Sequence, residues 1–142
     1  CKRLYRPTDN TVTAVVVGDG CTPRTGALLA FRTKWQVYSV DPALKRREHD
    51  YKQVRRLYIV PKKVEDFAID AWGPLIIVAV HSHASVEASL ARLDGNPRHY
   101  IAMPCCRDLR IPHMAPDKEY ADYGIMSPKC DVLIYNNVKE NT

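Results

Sequence analysis

The sequence lacks the features of membrane proteins and of disulfide-stabilised proteins. No apolar run approaches the roughly 20 residues that a transmembrane helix needs, and no charged segment followed by an apolar one opens the chain. The five cysteines are an odd number and form no CxxC pair, so a disulfide framework is not expected. We therefore expect a soluble, intracellular domain in a reducing compartment, with no membrane partner.

Internal repeats and low-complexity segments are also absent from the sequence. A chain of 142 residues is long enough for one domain with a single core, and we assign residues 1–142 to one domain. The chain begins with Cys1 rather than methionine, which suggests a processed or excised piece of a longer protein. Other domains or chains of that larger protein are therefore expected partners.

The segment at 13–42 has the pattern of a nucleotide-binding unit. An apolar run at 14–17 indicates a strand buried on both faces, and Gly18 and Gly20 then break it. Helix-forming residues follow at 25–32, and a second strand at 35–40 ends at Asp41. An acid about 20 residues after such glycines commonly binds the hydroxyls of a ribose. Because glycine turns also occur in unrelated α/β folds, a purely structural turn is the alternative.

The spacing of the glycines departs from the dinucleotide fingerprint, because the third glycine comes only at Gly26. A pyrophosphate cradle, and with it an NAD-type oxidoreductase, is therefore disfavoured. The segment instead resembles motif I of the class I S-adenosylmethionine-dependent methyltransferases, although Val16 stands where this family often carries an acid. The resemblance implies S-adenosyl-L-methionine as cofactor. The resemblance also implies that the methionine moiety of the cofactor lies beside Gly18, Asp19 and Gly20, and that its ribose binds Asp41.

Strand and helix patterns alternate along the rest of the chain. Further strands are predicted at 57–60, 74–80, 98–103 and 131–135, with helices at about 43–55 and at 85–93. This alternation predicts an α/β fold, a Rossmann-like doubly wound and mostly parallel sheet with helices on both faces. The first and fourth strands should be neighbours at the switch point, where such sheets bind ligands. The methyltransferase resemblance further implies that Asp66 and Phe67 contact the adenine, the alternative being a helix start with acids in its first turn.

Two histidines and two cysteines follow the fourth and fifth strands. His81 and His83, two residues apart on a strand, should point to the same face, near Cys105 and Cys106. A zinc site is conceivable, but adjacent cysteines have the wrong spacing, and we predict no metal. A cysteine nucleophile would need an ordered acid that the sequence does not supply nearby. The alternatives are a general base, which a histidine can provide near neutral pH, or polar residues that only close the rim of the site.

A basic segment lies at 45–63, with eight basic residues against two acids and two interleaved tyrosines. This pattern indicates phosphate contacts with RNA or DNA, and we take Arg46, Arg47, Arg55 and Arg56 as the candidate contacts. The alternative is the solvated face of a helix, since basic residues are common on protein surfaces.

The methyltransferase resemblance and the basic segment together lead us to expect an S-adenosylmethionine-binding, methyltransferase-like domain that acts on RNA. Residues 81–84, HSHA, match neither acceptor motif that the family often carries after the fourth strand. Methyl transfer depends mainly on alignment of the acceptor, so catalysis by His81 and His83 is still compatible with the sequence. The first alternative is an inactive methyltransferase fold with a structural or RNA-binding role in a larger assembly. The second is an NAD-type oxidoreductase.

Overall fold

The computed structural model describes residues 4–44, 51, 53–125 and 128–139. Two α-helices and nine strands are assigned within these ranges. The elements are β1 (Thr13–Val17), α1 (Arg24–Arg32), β2 (Gln36–Val40), β3 (Leu57–Val60), β4 (Ile69–Asp70), β5 (Leu75–Val80), α2 (Val86–Arg92), β6 (Leu93–Asp94), β7 (Arg98–Met103), β8 (Lys118–Ala121) and β9 (Asp131–Tyr135). A short 3-10 helix, Val64–Asp66, lies between β3 and β4. Neither α-helix is long and apolar enough to cross a membrane.

Seven strands form the main sheet, in the order β3-β2-β1-β5-β7-β9-β8. The pairs from β3 to β7 are all parallel, whereas β9 runs antiparallel to both β7 and β8. The sheet thus starts at its centre, winds out through β2 and β3, and crosses back to β5. This confirms the Rossmann-like α/β prediction, including the neighbouring first and fourth strands. The antiparallel pair at one edge is a departure from the fully parallel dinucleotide-binding order.

The central strands are buried on both faces because their side chains alternate between two apolar clusters. Val15 and Val17 belong to the cluster that α2 covers, while Ala14 and Val16 belong to the cluster that includes Ala30 of α1. One helix therefore covers each face, as the continuous apolar runs predict. The carboxyl ends of β1, β2 and β5 meet at one edge of this sheet.

Three short strands were not predicted from the sequence, and one predicted helix is described only in part. The helix expected at about 43–55 lies largely outside the described residues, and those described within it form turns and bends. Strand β8 was not predicted, because its four residues KEYA are mostly exposed and lack an apolar face. The short parallel pair of β4 and β6 was also missed, since two residues carry no periodicity. Ser85 caps α2 as predicted, accepting a hydrogen bond from the Ala88 N–H at 3.1 Å.

Candidate functional site

The turn after β1 packs directly on the end of β5. Gly18 has a φ of +70° and its N–H donates to the Val40 carbonyl at 2.8 Å. A Cβ on Gly18 would lie 2.1 Å from the Ser82 hydroxyl oxygen, so no larger residue fits there unless Ser82 moves. Gly20 has a φ of +85°, and the space where its Cβ would lie is open. The glycine pattern therefore serves two needs, close packing at Gly18 and a left-handed backbone at both positions.

The Asp19 carboxylate is bound by the start of α1. Its oxygens accept hydrogen bonds from the N–H groups of Thr25 and Gly26, at 3.1 and 2.9 Å, and from the Ser39 hydroxyl at 2.9 Å. Backbone N–H groups at a helix N-terminus are the usual binding position for a phosphate. Asp19 fills that position with the protein's own negative charge. A diphosphate placed there would have to displace this carboxylate or meet its repulsion.

Asp41 joins the first turn to the chain that follows β2. One carboxylate oxygen accepts a hydrogen bond from the Gly20 N–H at 3.0 Å, and the other accepts one from the Ala43 N–H at 2.7 Å. An ionised carboxylate offers about four acceptor positions, so about two remain after these bonds. Asp41 thus combines a structural role with unused acceptor capacity at the carboxyl end of β2.

A cavity of about 380 Å³ opens beside these turns. Gly18, Asp41 and His83 contribute to its wall, together with Val64 and Glu65 of the 3-10 helix. This volume lies within the range of sites for small molecules, about 300–1,000 Å³. The carboxyl ends of β1, β2 and β5 therefore form one cavity, as predicted for the switch point of the sheet.

Asp66 and Phe67, the two residues predicted to contact the adenine, lie in different environments. Asp66 is exposed and does not line the cavity. Phe67 packs into the core against the Tyr38 ring, with the ring centroids 5.9 Å apart. Their adenine role stays a prediction, but of the acid pair Glu65 and Asp66 it is Glu65 that lines the cavity. The sequence analysis missed Glu65. Two consecutive acids do not reveal which side chain faces the cavity, because that depends on the 3-10 helix that carries them.

The expectation that both histidines share a face is wrong, because β5 ends at Val80. His81 has a left-handed backbone, with a φ of 49°, and its Nε2 lies 3.0 Å from the Lys129 carbonyl oxygen. His83 lines the cavity, and its Nε2 lies 3.2 Å from the Cys106 sulfur. The predicted meeting of the β5 and β7 ends is thus confirmed for His83 and Cys106. Within the described ranges, no three His, Cys, Asp or Glu side chains are arranged to hold a metal ion.

The predicted nucleic-acid contacts are described only in part, since Arg46 and Arg47 lie outside the described residues. Arg55 is exposed. Arg56 instead turns towards the protein, and its Nη2 donates to the Thr33 carbonyl at 3.0 Å. Its Nε is buried without a hydrogen-bond partner among the residues described. Arg56 is therefore held by the fold, whereas Arg55 is open to solvent.

The fold is similar to that of MtNAS, a protein that was solved as a point mutant. The TM-score is 0.59 with 17% sequence identity, and the match covers 95% of this chain but 56% of MtNAS. The chain thus corresponds to little more than half of that protein. Neither a protein-family model nor a curated protein matches the sequence. The comparison therefore shows that this chain shares the fold of MtNAS.

Proposed function

We propose that this domain binds S-adenosyl-L-methionine in the cavity lined by Gly18, Asp41 and Glu65. The observation that carries this proposal is the Asp41 carboxylate, which lines the cavity and has about two unused acceptor positions. Two vicinal hydroxyls of a ribose would take these positions. The backbone bonds from Gly20 and Ala43 hold the carboxylate in place before a ligand arrives, which lowers the entropic cost of binding.

The charges around the cavity favour an adenosyl ligand without phosphates. Asp19 already occupies the N-terminus of α1, so a diphosphate has no free helix end at this turn. Among the described residues, the wall carries two acids, Asp41 and Glu65, and one lysine, Lys63, which suits the positively charged sulfonium of S-adenosylmethionine. These arguments favour S-adenosylmethionine over NAD.

Glu65 is the acid best placed to accept a hydrogen bond from the adenine amino group. It lines the cavity beside the buried Val64, whose side chain offers an apolar contact for a ring. Ala84 lines the cavity as well and gives a second small apolar surface. Glu65 and Val64 thereby take the role that the sequence pattern assigned to Asp66 and Phe67.

His83 is our candidate for a general base in methyl transfer, because it lines the cavity and a histidine can accept a proton near neutral pH. Transfer to an acceptor should fall by about 10²- to 10⁴-fold in His83→Ala, while the affinity for S-adenosylhomocysteine is unchanged. His81→Ala is the matched comparison, since His81 contacts the Lys129 carbonyl and is not part of the cavity wall. Equal rates in both variants and the parent would remove the histidines from the mechanism.

RNA is the acceptor that we propose, on the charge of the segment at 45–63. Arg46, Arg47 and Arg55 should be reversed to glutamate together, with Arg56 left in place because it bonds to Thr33. RNA binding should weaken, and its salt dependence should flatten by about one unit of slope for each phosphate that is no longer bound. An unchanged slope in the folded variant would identify the segment as a solvated surface.

An inactive methyltransferase fold is the second candidate function. The observation that favours it is the immediate contact of His83 with Cys106, which occupies the imidazole nitrogen that a base would use. Binding of S-adenosylhomocysteine without transfer to any RNA would support this candidate.

The cofactor site is tested by Asp41→Ala, with affinity for S-adenosylhomocysteine measured by calorimetric titration. Loss of two charge-assisted hydrogen bonds should cost about 2–4 kcal/mol of binding, or about 30- to 1,000-fold. Asp70→Ala is the control, because Asp70 is exposed and lies near Thr13 and Gln36, at the amino ends of β1 and β2. Unchanged affinity in folded Asp41→Ala would refute the ribose assignment.

A further inference from the structure

A second and larger cavity lies beside α2 and the amino end of β7, and it shares no lining residue with the candidate cofactor site. Its volume is about 560 Å³, and it is enclosed by α2, the start of β7, the chain at 111–114 and the chain after β9. Arg98, the first residue of β7, forms part of its wall. The amino end of β7 is remote from the edge where β1, β2 and β5 end. No part of the proposed cofactor site contributes to this second cavity.

Arg98 is a buried cation that has no carboxylate partner among the described residues. Its side chain and backbone together are only 4% exposed. Nη1 donates to the carbonyls of Leu90 and Leu93, at 2.6 and 2.8 Å, and Nε donates to the Val138 carbonyl at 3.4 Å. Within the described ranges, no Asp or Glu oxygen lies within 4.0 Å of this guanidinium. A buried charge of this kind normally has a counter-charge, because removing an ion from water is costly.

The remaining nitrogen of Arg98, Nη2, is available to a ligand. A guanidinium has five N–H donors, and the two on Nη2 have no acceptor among the described residues. The one buried side-chain nitrogen or oxygen without a partner in the described part of the chain is Nε of Arg56. Nη2 of Arg98 is thus accessible, and since the residue is almost fully buried, the access is through the cavity that it lines.

The rest of the cavity wall combines apolar residues with charged ones, and this combination favours one class of ligand. Leu90, Ile111, Met114 and Val138 supply apolar surface. Lys139 adds a second cation at the wall, and Glu87 is the one acid that lines it among the residues described. The described residues of the wall thus carry two cations and one acid, a net positive charge, while the apolar residues suit a hydrocarbon body.

We propose that this cavity binds a small organic acid whose carboxylate pairs with Nη2 of Arg98 and whose apolar body contacts Leu90, Ile111 and Met114. The carbonyl bonds to Nε and Nη1 hold the guanidinium plane in a fixed orientation. Only the Nη2 edge is left for the acid, so one carboxylate oxygen accepts from it and Lys139 provides long-range attraction. The site is independent of the proposed cofactor site, because the two share no residue.

Octanoate is the probe for a test by calorimetric titration of the intact chain, with octanol and inorganic phosphate as separate arms. Octanoate should bind saturably, and octanol should bind about tenfold or more weakly, since it lacks the charge that pairs with Arg98. Equal affinity for octanol would overturn the ion pair. Tighter binding of phosphate than of octanoate would overturn the choice of an organic acid. No saturable binding of octanoate would overturn the proposal as a whole.

Two variants on α2 locate the site without changing Arg98, whose bonds to Leu90 and Leu93 also support the end of the helix. Ala91 is exposed and lines the cavity, so Ala91→Trp should block entry and weaken octanoate binding by about tenfold or more. Arg92 is the next residue, also exposed but not part of the wall, and Arg92→Trp should leave the affinity within about twofold. Equal binding by Ala91→Trp and the parent would place octanoate elsewhere and refute the site.

Discussion

Asp19→Ala should be among the most destabilising substitutions in the first turn, because one carboxylate holds three donors. The N–H groups of Thr25 and Gly26 begin α1, and the Ser39 hydroxyl lies on a fully buried residue of β2. Loss of a helix cap costs about 0.5–2 kcal/mol. The buried hydroxyl that loses its acceptor adds about 1–3 kcal/mol, and the two costs are not strictly additive. We expect the free energy of unfolding to fall by about 2–4 kcal/mol.

Urea unfolding followed by tryptophan fluorescence measures this loss, since Trp35 is fully buried in the fold. The midpoint should fall with an unchanged slope, and the exposed Asp70→Ala should leave the midpoint nearly unchanged. A double-mutant cycle with Ser39→Ala should give a coupling of about 1–2 kcal/mol between the two side chains. A loss below about 1 kcal/mol for Asp19→Ala would refute the capping role, and with it the argument that the helix end is occupied.

Two further predictions concern other parts of the sheet. Gly18→Ala should cost about 1–2 kcal/mol from its positive φ alone, and more from the clash with Ser82, so thermal unfolding should show a markedly lower Tm. A parent-like Tm would contradict the close approach. Burial lowers the pKa of His99, whose Nδ1 accepts the Asn137 N–H at 3.3 Å and whose Nε2 lies 2.9 Å from the Tyr5 hydroxyl. Because the unfolded chain then binds more protons, stability should fall as the pH drops below about 6.5 towards the pKa of the folded protein. His99→Gln should remove this part of the pH dependence in denaturant titrations, and an identical pH profile would contradict it.

The sequence was sufficient to predict the buried strands and that the first and fourth of them are neighbours. Continuous apolar runs such as LIIVAV at 75–80 leave little choice but a parallel sheet covered on both faces. The sequence alone could not predict that Asp19 binds the start of α1 and Ser39, because this depends on how α1 packs on β2. Ser39 nevertheless gave an indication of this contact. Its hydroxyl lies in a largely apolar strand, and a buried hydroxyl needs a hydrogen-bond partner.

The directions of individual side chains at the site were harder to predict than the elements that carry them. His81 and His83 diverge because the strand ends one residue before His81, and periodicity does not fix a strand end to one residue. Arg56 lies in a basic segment typical of a solvated surface, yet its left-handed backbone aims it at Thr33. Arg98 has the pattern of an ordinary first residue of a strand, and its burial becomes visible only when α2 and the chain after β9 are in place.

The most direct test of the central proposal is a parallel calorimetric titration of the parent chain with S-adenosylmethionine, S-adenosylhomocysteine and NAD. The occupied N-terminus of α1 and the available Asp41 carboxylate predict saturable binding of both adenosyl-sulfur compounds at one shared site, with NAD binding far more weakly. Tight binding of NAD, or no binding of S-adenosylhomocysteine by the folded protein, would contradict the proposal.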